Sequence, residues 1–487
     1  MSIREMQEYT RISKYALYLP DEFRRETWSE QIDRVMTMHR GHLATMDTVK
    51  NLNEDDAREL ESYLELAETA MLKKRVLGSQ RVLQFGGSPV LKHNFRSYNC
   101  CASYADRPRF FQEAMYALLC GAGVGFSVQF HHVAKLPKLV DALTAESIFV
   151  IPDTIEGWSD AIGVLISSYM STDAPFPDFS STRVVFDYSS IRPAGSPLSS
   201  GAKAPGPDGL ARSIEKMRAI LDQAFGRQLE PIEVYDLIMH ASDAVISGGV
   251  RRSATICIFS PTDMKMMTAK TGDWLTTNPQ RGRSNNSVLL IRNETNLENF
   301  MQIIESVKEF GEPGFVFANS TEELFNPCVE ANLWAKHWLT FLSGWSCCNL
   351  CEINGAWTTT AERFFEACKA AAILGTIQAS YTSFPYLGIT TEEIVRREAL
   401  LGVGITGIQE NPQVLLDPAT LEAGAAIVKA INKRVAELIG IRPSARTTVV
   451  KPSGTTSTLL GTSSGIHPHH ARRYFRRIQA NKQENTL

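Results

Sequence analysis

From about residue 90 onward, short apolar runs rich in β-branched and aromatic residues alternate with amphipathic stretches, and this alternation restricts the chain more than any other feature. VGFSVQF, TRVVFDY, TICIF, NSVLLI, PGFVFA and TTVVKP have the composition of strands. LARSIEKMRAILDQAF and NLENFMQIIESVKEF carry the apolar spacing of helices. Strand and helix in turn predict an α/β domain with a largely parallel sheet. Ahead of it, residues 1 to about 85 read as helical: LNEDDARELESYLELAETAMLKKRVL repeats leucine and alanine at helical spacing, and its carboxylates gather early, where the helix dipole favours them. The stretch PAGSPLSSGAKAPGPDG (193–209) is loop, too embedded to be a linker.

Composition narrows the class. In 487 residues, 44% are hydrophobic and 21% charged, as in ordinary globular proteins. A net charge of −3 argues against broad attraction to nucleic acid. No run approaches the ~18 apolar residues of a membrane span, and the polar start MSIREMQEYTRISKY lacks the core of a secretory signal. The nine cysteines are too sparse and uneven for a secreted disulfide scaffold. A cytoplasmic protein is expected.

Several segments could carry chemistry. FNPCVE sets Asn326, Cys328 and Glu330 two residues apart, so an extended or looped backbone could converge an amide, a thiol and a carboxylate. Glu330 could take a proton from a hydroxyl, Asn326 could hold that hydroxyl, and Cys328 could perform a covalent or radical step. A buried structural cysteine is the competing reading. GWSCCNLCEING clusters Cys347, Cys348 and Cys351, which suits redox thiols better than zinc, since no second ligand pair stands at a conventional distance. GAGVGF (121–126) and KPSGTTS (451–457) could bring backbone N–H groups to an anion, although neither is a nucleotide fingerprint and each, taken alone, reads better as a tight turn. SGGVRRSA (247–254) offers two arginines to a phosphate or base.

Taken in order, these segments resemble one family. KYALYLPDEFRRETWSEQIDRV, YNCCAS, GAGVGFSV, PDTIEGW, FDYSSIRPAGSPLSSGAKAPGP, SGGVRRSA, RSNNSV, GEPGFVF, NPCVE, CNLCEIN, TTVVKPSGT, GIHPH and RYFRRIQ are similar, collinearly and over nearly the whole chain, to the monomeric, adenosylcobalamin-dependent (class II) ribonucleoside-triphosphate reductases. The resemblance implies a ten-stranded α/β barrel of two five-stranded halves with a central finger loop, occupying residues 89–487 behind a helical region at 1–88, with an effector-specificity region at about 138–255. It implies Cys328 as the thiyl-radical cysteine with Asn326 and Glu330 as partners, Cys100 and Cys348 as the pair oxidised to a disulfide, and Ser453, Gly454 and Thr455 as the substrate-phosphate loop. Arg251 and Arg252 fall in the loop between effector and substrate base, and Asp153 in the effector region. Adenosylcobalamin is the implied cofactor; no D-x-H-x-x-G cobalt-ligand motif is present, and no metal site is expected. A ribonucleotide substrate, a deoxynucleotide effector and a thioredoxin-like or dithiol reductant are the implied partners.

Three departures from the family pattern stand out. The family usually has glycine where Val329 stands. The twenty residues from Cys328 to Cys348 exceed the spacing in close relatives, which leaves Cys347 and Cys351 as alternatives to Cys348, and Cys101 to Cys100. Relatives also continue beyond ANKQENTL through at least one more strand and a cysteine tail. The expectation is therefore a barrel incomplete at its C-terminus, a fragment or one half of a split enzyme, inactive until a second polypeptide completes it. A class I large subunit, a glycyl-radical enzyme, a nucleotide-binding regulatory fragment and a zinc protein are the competing classes.

Overall fold

A computed structural model describes residues 3–196, 203–247 and 254–475. The chain divides into two compact units, one of residues 1–99, 347–383 and 395–487, the other of 100–346 and 384–394.

The second unit is built on five parallel strands. In spatial order they are Gly314–Ala318, Ser284–Ile291, Thr255–Phe259, Gly123–Ser127 and Cys100–Tyr104. Helices Phe110–Leu119 and Leu297–Phe310 make two of the crossovers that parallel neighbours require. Every residue of the three strands Cys100–Tyr104, Gly123–Ser127 and Thr255–Phe259 is buried. That is why these runs read as unbroken apolar or small segments rather than alternating ones. Between Ser127 and Thr255 the chain makes a βαβ excursion. Strand Ala145–Val150 pairs in parallel with Thr182–Asp187 across helix Ile155–Ser168, and helices Asp208–Asp222 and Pro231–Ser247 follow.

In the first unit, the amino-terminal helices are set by their caps. Thr27 and Glu30 form a reciprocal capping box on Trp28–Leu43, and Asn53 caps Glu54–Leu72. The nine-residue strand Ser346–Asn354, which enters this unit at Cys347, pairs in parallel with Leu401–Thr406 and antiparallel with the short Val76–Leu77. Helices Ala361–Gln378 and Pro418–Ile439 pack closely because Gly424 has no side chain. A Cβ there would stand 2.4 Å from the Phe364 ring and 3.2 Å from Cys368 Sγ.

Two expectations change. TTVVKP, expected as a strand, keeps a single bridge, Val403 to Thr448, with Val403 N donating to Thr447 O and Val449 N donating to Val403 O. Beyond it Val450 is exposed and Pro452, which has no N–H to give a ladder, ends the pairing. GWSCCNLCEING, weighed as a cysteine cluster, is instead a wholly buried strand. Among the described residues, no helix is long and apolar enough to cross a membrane.

Candidate active site

The NPCVE segment is the tip of a hairpin. Leu324–Phe325 pairs antiparallel with Asn332–Leu333, and Val329 N donates to Asn326 O at 2.8 Å, closing a β-turn with Pro327 second and Cys328 third. Proline's fixed φ suits the second position. The turn, the looped rather than the extended form of this segment, sets the three side chains. Asn326 is fully buried, Cys328 is exposed at the tip, and Glu330 is partly buried with its Oε2 lacking any hydrogen-bond partner. A carboxylate oxygen left open inside a folded chain is placed to take a proton from a ligand.

Asn326 ties this hairpin to the sheet. Its Nδ2 donates to Cys100 Sγ at 3.3 Å, and its Oδ1 accepts from Ala331 N at 2.9 Å. Phe325 joins the apolar cluster of Ile256, Ile258, Leu289, Val316 and Ala318. The approach is so close that a Cβ on Gly125 would lie 1.9 Å from Phe325 O and 3.3 Å from Ala102 Cβ. GAGVGF, weighed above as a phosphate cradle, is therefore a strand whose missing side chain makes room for the hairpin. Because side chains alternate along a strand, Cys100 and Ala102 face the hairpin and Cys101 the opposite side.

Val329 departs from ordinary backbone. Its φ of 62° puts a β-branched residue in the left-handed region, directly after a turn where glycine is the usual choice. Val329→Gly is expected to stabilise the protein by about 1 kcal/mol, the relieved strain exceeding the added freedom of the unfolded chain. An unchanged or lowered urea midpoint would refute the strain.

The hairpin's root is clamped through Glu322. His131 Nε2 and His132 Nε2 lie 3.2 and 3.3 Å from its carboxylate, Lys336 Nζ lies at 2.5 Å, and Tyr104 Oη donates to its backbone oxygen at 2.6 Å. Burial raises the Glu322 carboxyl, but the histidines and Lys336 outweigh it and hold it well below the usual range. Among the described residues, His131, His132 and Glu322 form the one trio with metal-ligand spacing. The Lys336 ammonium already engages this carboxylate, so the trio reads as a clamp. Nothing in the sequence pattern pointed to it.

On the first unit's strand, alternation separates the three cysteines. Cys351 accepts from Gln378 Nε2 at 3.3 Å, and Asn349 Nδ2 donates to Gly375 O at 3.2 Å, so Cys347, Asn349 and Cys351 face helix Ala361–Gln378. Burial pushes the Cys351 thiol up to about 12. Cys348, Leu350 and Glu352 face the other way, where Lys451 Nζ stands 2.7 Å from Glu352 Oε1. Thiols split between two faces do not converge on one tetrahedral ion, which removes the basis of the zinc reading. Asn99, the residue before Cys100, brackets this strand: its N donates to Cys348 O at 3.3 Å, and its Oδ1 accepts from Leu350 N at 3.0 Å.

The remaining expected residues lie apart in sequence and role. Ser453 is buried with its hydroxyl unpartnered, Gly454 has open space where a Cβ would be, and Thr455 begins the short helix Thr455–Leu460. Asp153 forms an ion pair with Arg192, next to Thr154, which caps helix Ile155–Ser168. Arg251 and Arg252 fall outside the described residues.

The parallel five-stranded sheet with a cysteine-tipped hairpin laid against it belongs to a fold that has a counterpart among solved proteins. A solved B12-dependent (class II) ribonucleotide reductase matches with a TM-score of 0.76 at 20% identity, covering 94% of this chain and 74% of that one. No family model matches the sequence. Curated relatives do: the adenosylcobalamin-dependent ribonucleoside-triphosphate reductase of Lactobacillus delbrueckii subsp. bulgaricus is 24% identical over 97% of this chain and 74% of its own length. That of Lactobacillus leichmannii is 25% identical over 96% and 73%. A probable one from Dictyostelium discoideum is 26% identical over 70% and 45%. Over nearly its whole length the chain is similar to the adenosylcobalamin-dependent ribonucleoside-triphosphate reductases.

Proposed function

We propose that this chain is the catalytic subunit of a ribonucleotide reductase that converts ribonucleoside triphosphates to 2′-deoxyribonucleotides. The observation that carries the reading is the finger hairpin, with an exposed thiol at its tip, a partnerless carboxylate oxygen beside it, and, at the start of the turn, an asparagine bonded to a second thiol. In this reading residues 89–487 form the catalytic barrel, with 138–255 the effector-specificity region, and 1–88 the helical amino-terminal region.

Each group has one task. The cofactor chemistry suits an accessible thiol, and Cys328 is the one exposed cysteine of the nine. When bound, adenosylcobalamin supplies the radical that removes the hydrogen atom from the Cys328 thiol. The Cys328 thiyl radical takes the 3′-hydrogen of the ribose, and Glu330 accepts the 3′-hydroxyl proton. One thiol of the Cys100 and Cys348 pair gives a proton to the 2′-hydroxyl, which leaves as water, and the other gives its hydrogen to C2′; the sulfurs join as a disulfide as the remaining electron passes to the ribose and Glu330 returns its proton to the 3′-oxygen. Hydrogen then returns from Cys328 to C3′. Asn326 positions the hairpin against Cys100, and Ser453, Gly454 and Thr455 hold phosphate through backbone N–H groups and hydroxyls. Arg251, Arg252 and Asp153 are assigned to communication between a deoxynucleotide effector and the substrate base. A thioredoxin-like protein or dithiol renews the cysteine pair.

Three features support Cys100 and Cys348 over their neighbours: the Asn326 contact, the face that Cys348 shares with Glu352, and the bracketing by Asn99. Turnover tests the whole reading. Ribonucleoside triphosphate, adenosylcobalamin and a dithiol are given to the purified chain and to the chain supplemented with extract of its host. Deoxyribonucleotide is expected, and its absence from both sinks the proposal. Product only after supplementation assigns a second polypeptide. Within the active preparation, Cys348→Ser is expected to remove dithiol-supported turnover, while Cys347→Ser and Cys351→Ser cost at most about 2 kcal/mol of stability as changes in a packed core. Loss with Cys351→Ser and retention with Cys348→Ser would reverse the assignment.

A further inference from the structure

We propose that Lys451, held across Gly404 by Glu352, is a specificity-determining residue that reads the charge of the substrate's phosphate chain. The inference rests on the reading of Ser453, Gly454 and Thr455 as the phosphate loop and extends it to a second anionic group.

Glu352 and Gly404 are direct partners in the parallel ladder. Lys451 lies on the far side of Gly404, and its side chain crosses the bare backbone there. A Cβ on Gly404 would stand 3.4 Å from Glu352 Oε1 and 3.6 Å from Lys451 Cγ. The ammonium reaches Glu352 Oε1 at 2.7 Å, with the two side chains 11% and 3% exposed. Neither Glu352 oxygen has a hydrogen-bond partner of good geometry. A buried carboxylate with one cation and no further donors is a costly way to stabilise a fold, since desolvation opposes the attraction. Such an arrangement is expected where a ligand uses it.

The neighbourhood supplies that ligand's chemistry. Two residues along the same loop, Ser453 is 2% exposed and its hydroxyl has no partner. The loop backbone is fixed, because Ser464 Oγ donates to Ser453 O and a Cβ on Gly465 would stand 2.8 Å from Lys451 O. Gly454 has open space above it. An ammonium carries three N–H donors, so an anion can share it with the partners it already has, Glu352 among them. Ser453 would meet one phosphate and Lys451 the next, which favours a polyphosphate over a monophosphate. Glu352 is the positioning residue: it fixes Lys451 and tempers its charge.

Binding of ribonucleoside mono-, di- and triphosphates to the full chain tests this, with inorganic tripolyphosphate as a base-free probe. Lys451→Met is expected to weaken triphosphate and tripolyphosphate roughly tenfold to a hundredfold, the range of charge-assisted hydrogen bonds, and monophosphate about threefold at most. Glu352→Gln keeps an acceptor for Lys451 but removes its charge, so it is expected to tighten triphosphate binding severalfold at low salt and steepen its salt dependence. A merely structural role for Glu352 would not do that. Ser453→Ala should weaken all three nucleotides. If Ser453→Ala weakens binding while Lys451→Met does not, this inference is overturned and the phosphate loop stands; if neither has an effect, both fall. Should Lys451→Met fail to fold with Glu352 left buried, Lys451→Met combined with Glu352→Gln gives a neutral pair judged by the same criterion.

Discussion

Cys328→Ser is expected to reduce deoxyribonucleotide formation by at least ~10⁴-fold while leaving the fold and nucleotide binding intact. A serine hydroxyl holds its hydrogen too strongly to exchange it as a thiol does, so the step that starts the reaction has no substitute, and loss of a reacting group costs factors of this size or more. The position makes the test clean. Cys328 is exposed at the tip of a hairpin, and surface substitutions normally change stability by no more than about 0.5 kcal/mol. Activity measured beside a urea denaturation curve separates the two effects. Retention of even one-tenth of the turnover would mean that the radical rests on another residue.

The second large effect is steric and acts through a residue that touches no substrate. Gly125→Val places a side chain where Phe325 O already stands, 1.9 Å from the position of its Cβ. The obstructing atom is backbone, so no rotamer change relieves the clash. Either the hairpin lifts from the sheet or the strand bends. Both break the 3.3 Å contact between Asn326 and Cys100 and carry Cys328 away from its place. A displacement of about 1 Å in a catalytic group costs on the order of a hundredfold, and lifting the hairpin costs more. The expected result is a drop of at least ~10²-fold in kcat with a lowered melting temperature. Gly41→Ala, in helix Trp28–Leu43, is the control, since a Cβ there would meet nothing within 4 Å. Wild-type turnover in Gly125→Val would show that the hairpin's seat against the sheet is not needed.

Much of this was legible in the sequence because it depends on local period and composition. The strands Thr182–Asp187, Thr255–Phe259, Ser284–Ile291 and Gly314–Ala318, and the helices Glu54–Leu72, Asp208–Asp222 and Leu297–Phe310, lie where β-branched runs and helical spacing predict them. The buried strand Ser346–Asn354 was hidden, because its cysteines and asparagine suggested chemistry before they suggested a ladder. The phosphate-loop segment kept its loop-to-helix character, but its preceding strand shrank to one bridge.

What the sequence determined by itself is the inventory: an α/β chain, a thiol, an amide and a carboxylate in one short segment, and distant cysteines in two others. Tertiary structure alone decided which of those groups can act together. Whether Cys100 or Cys101 faces the hairpin, and whether Cys348 or Cys351 faces away from the helix, depends on the phase of a strand against its neighbours, and a one-residue change in phase reverses every answer. The tasks of Gly125 and of Lys451 with Glu352 likewise exist only between segments far apart in the chain. They are contacts made by the fold, and no local pattern encodes them.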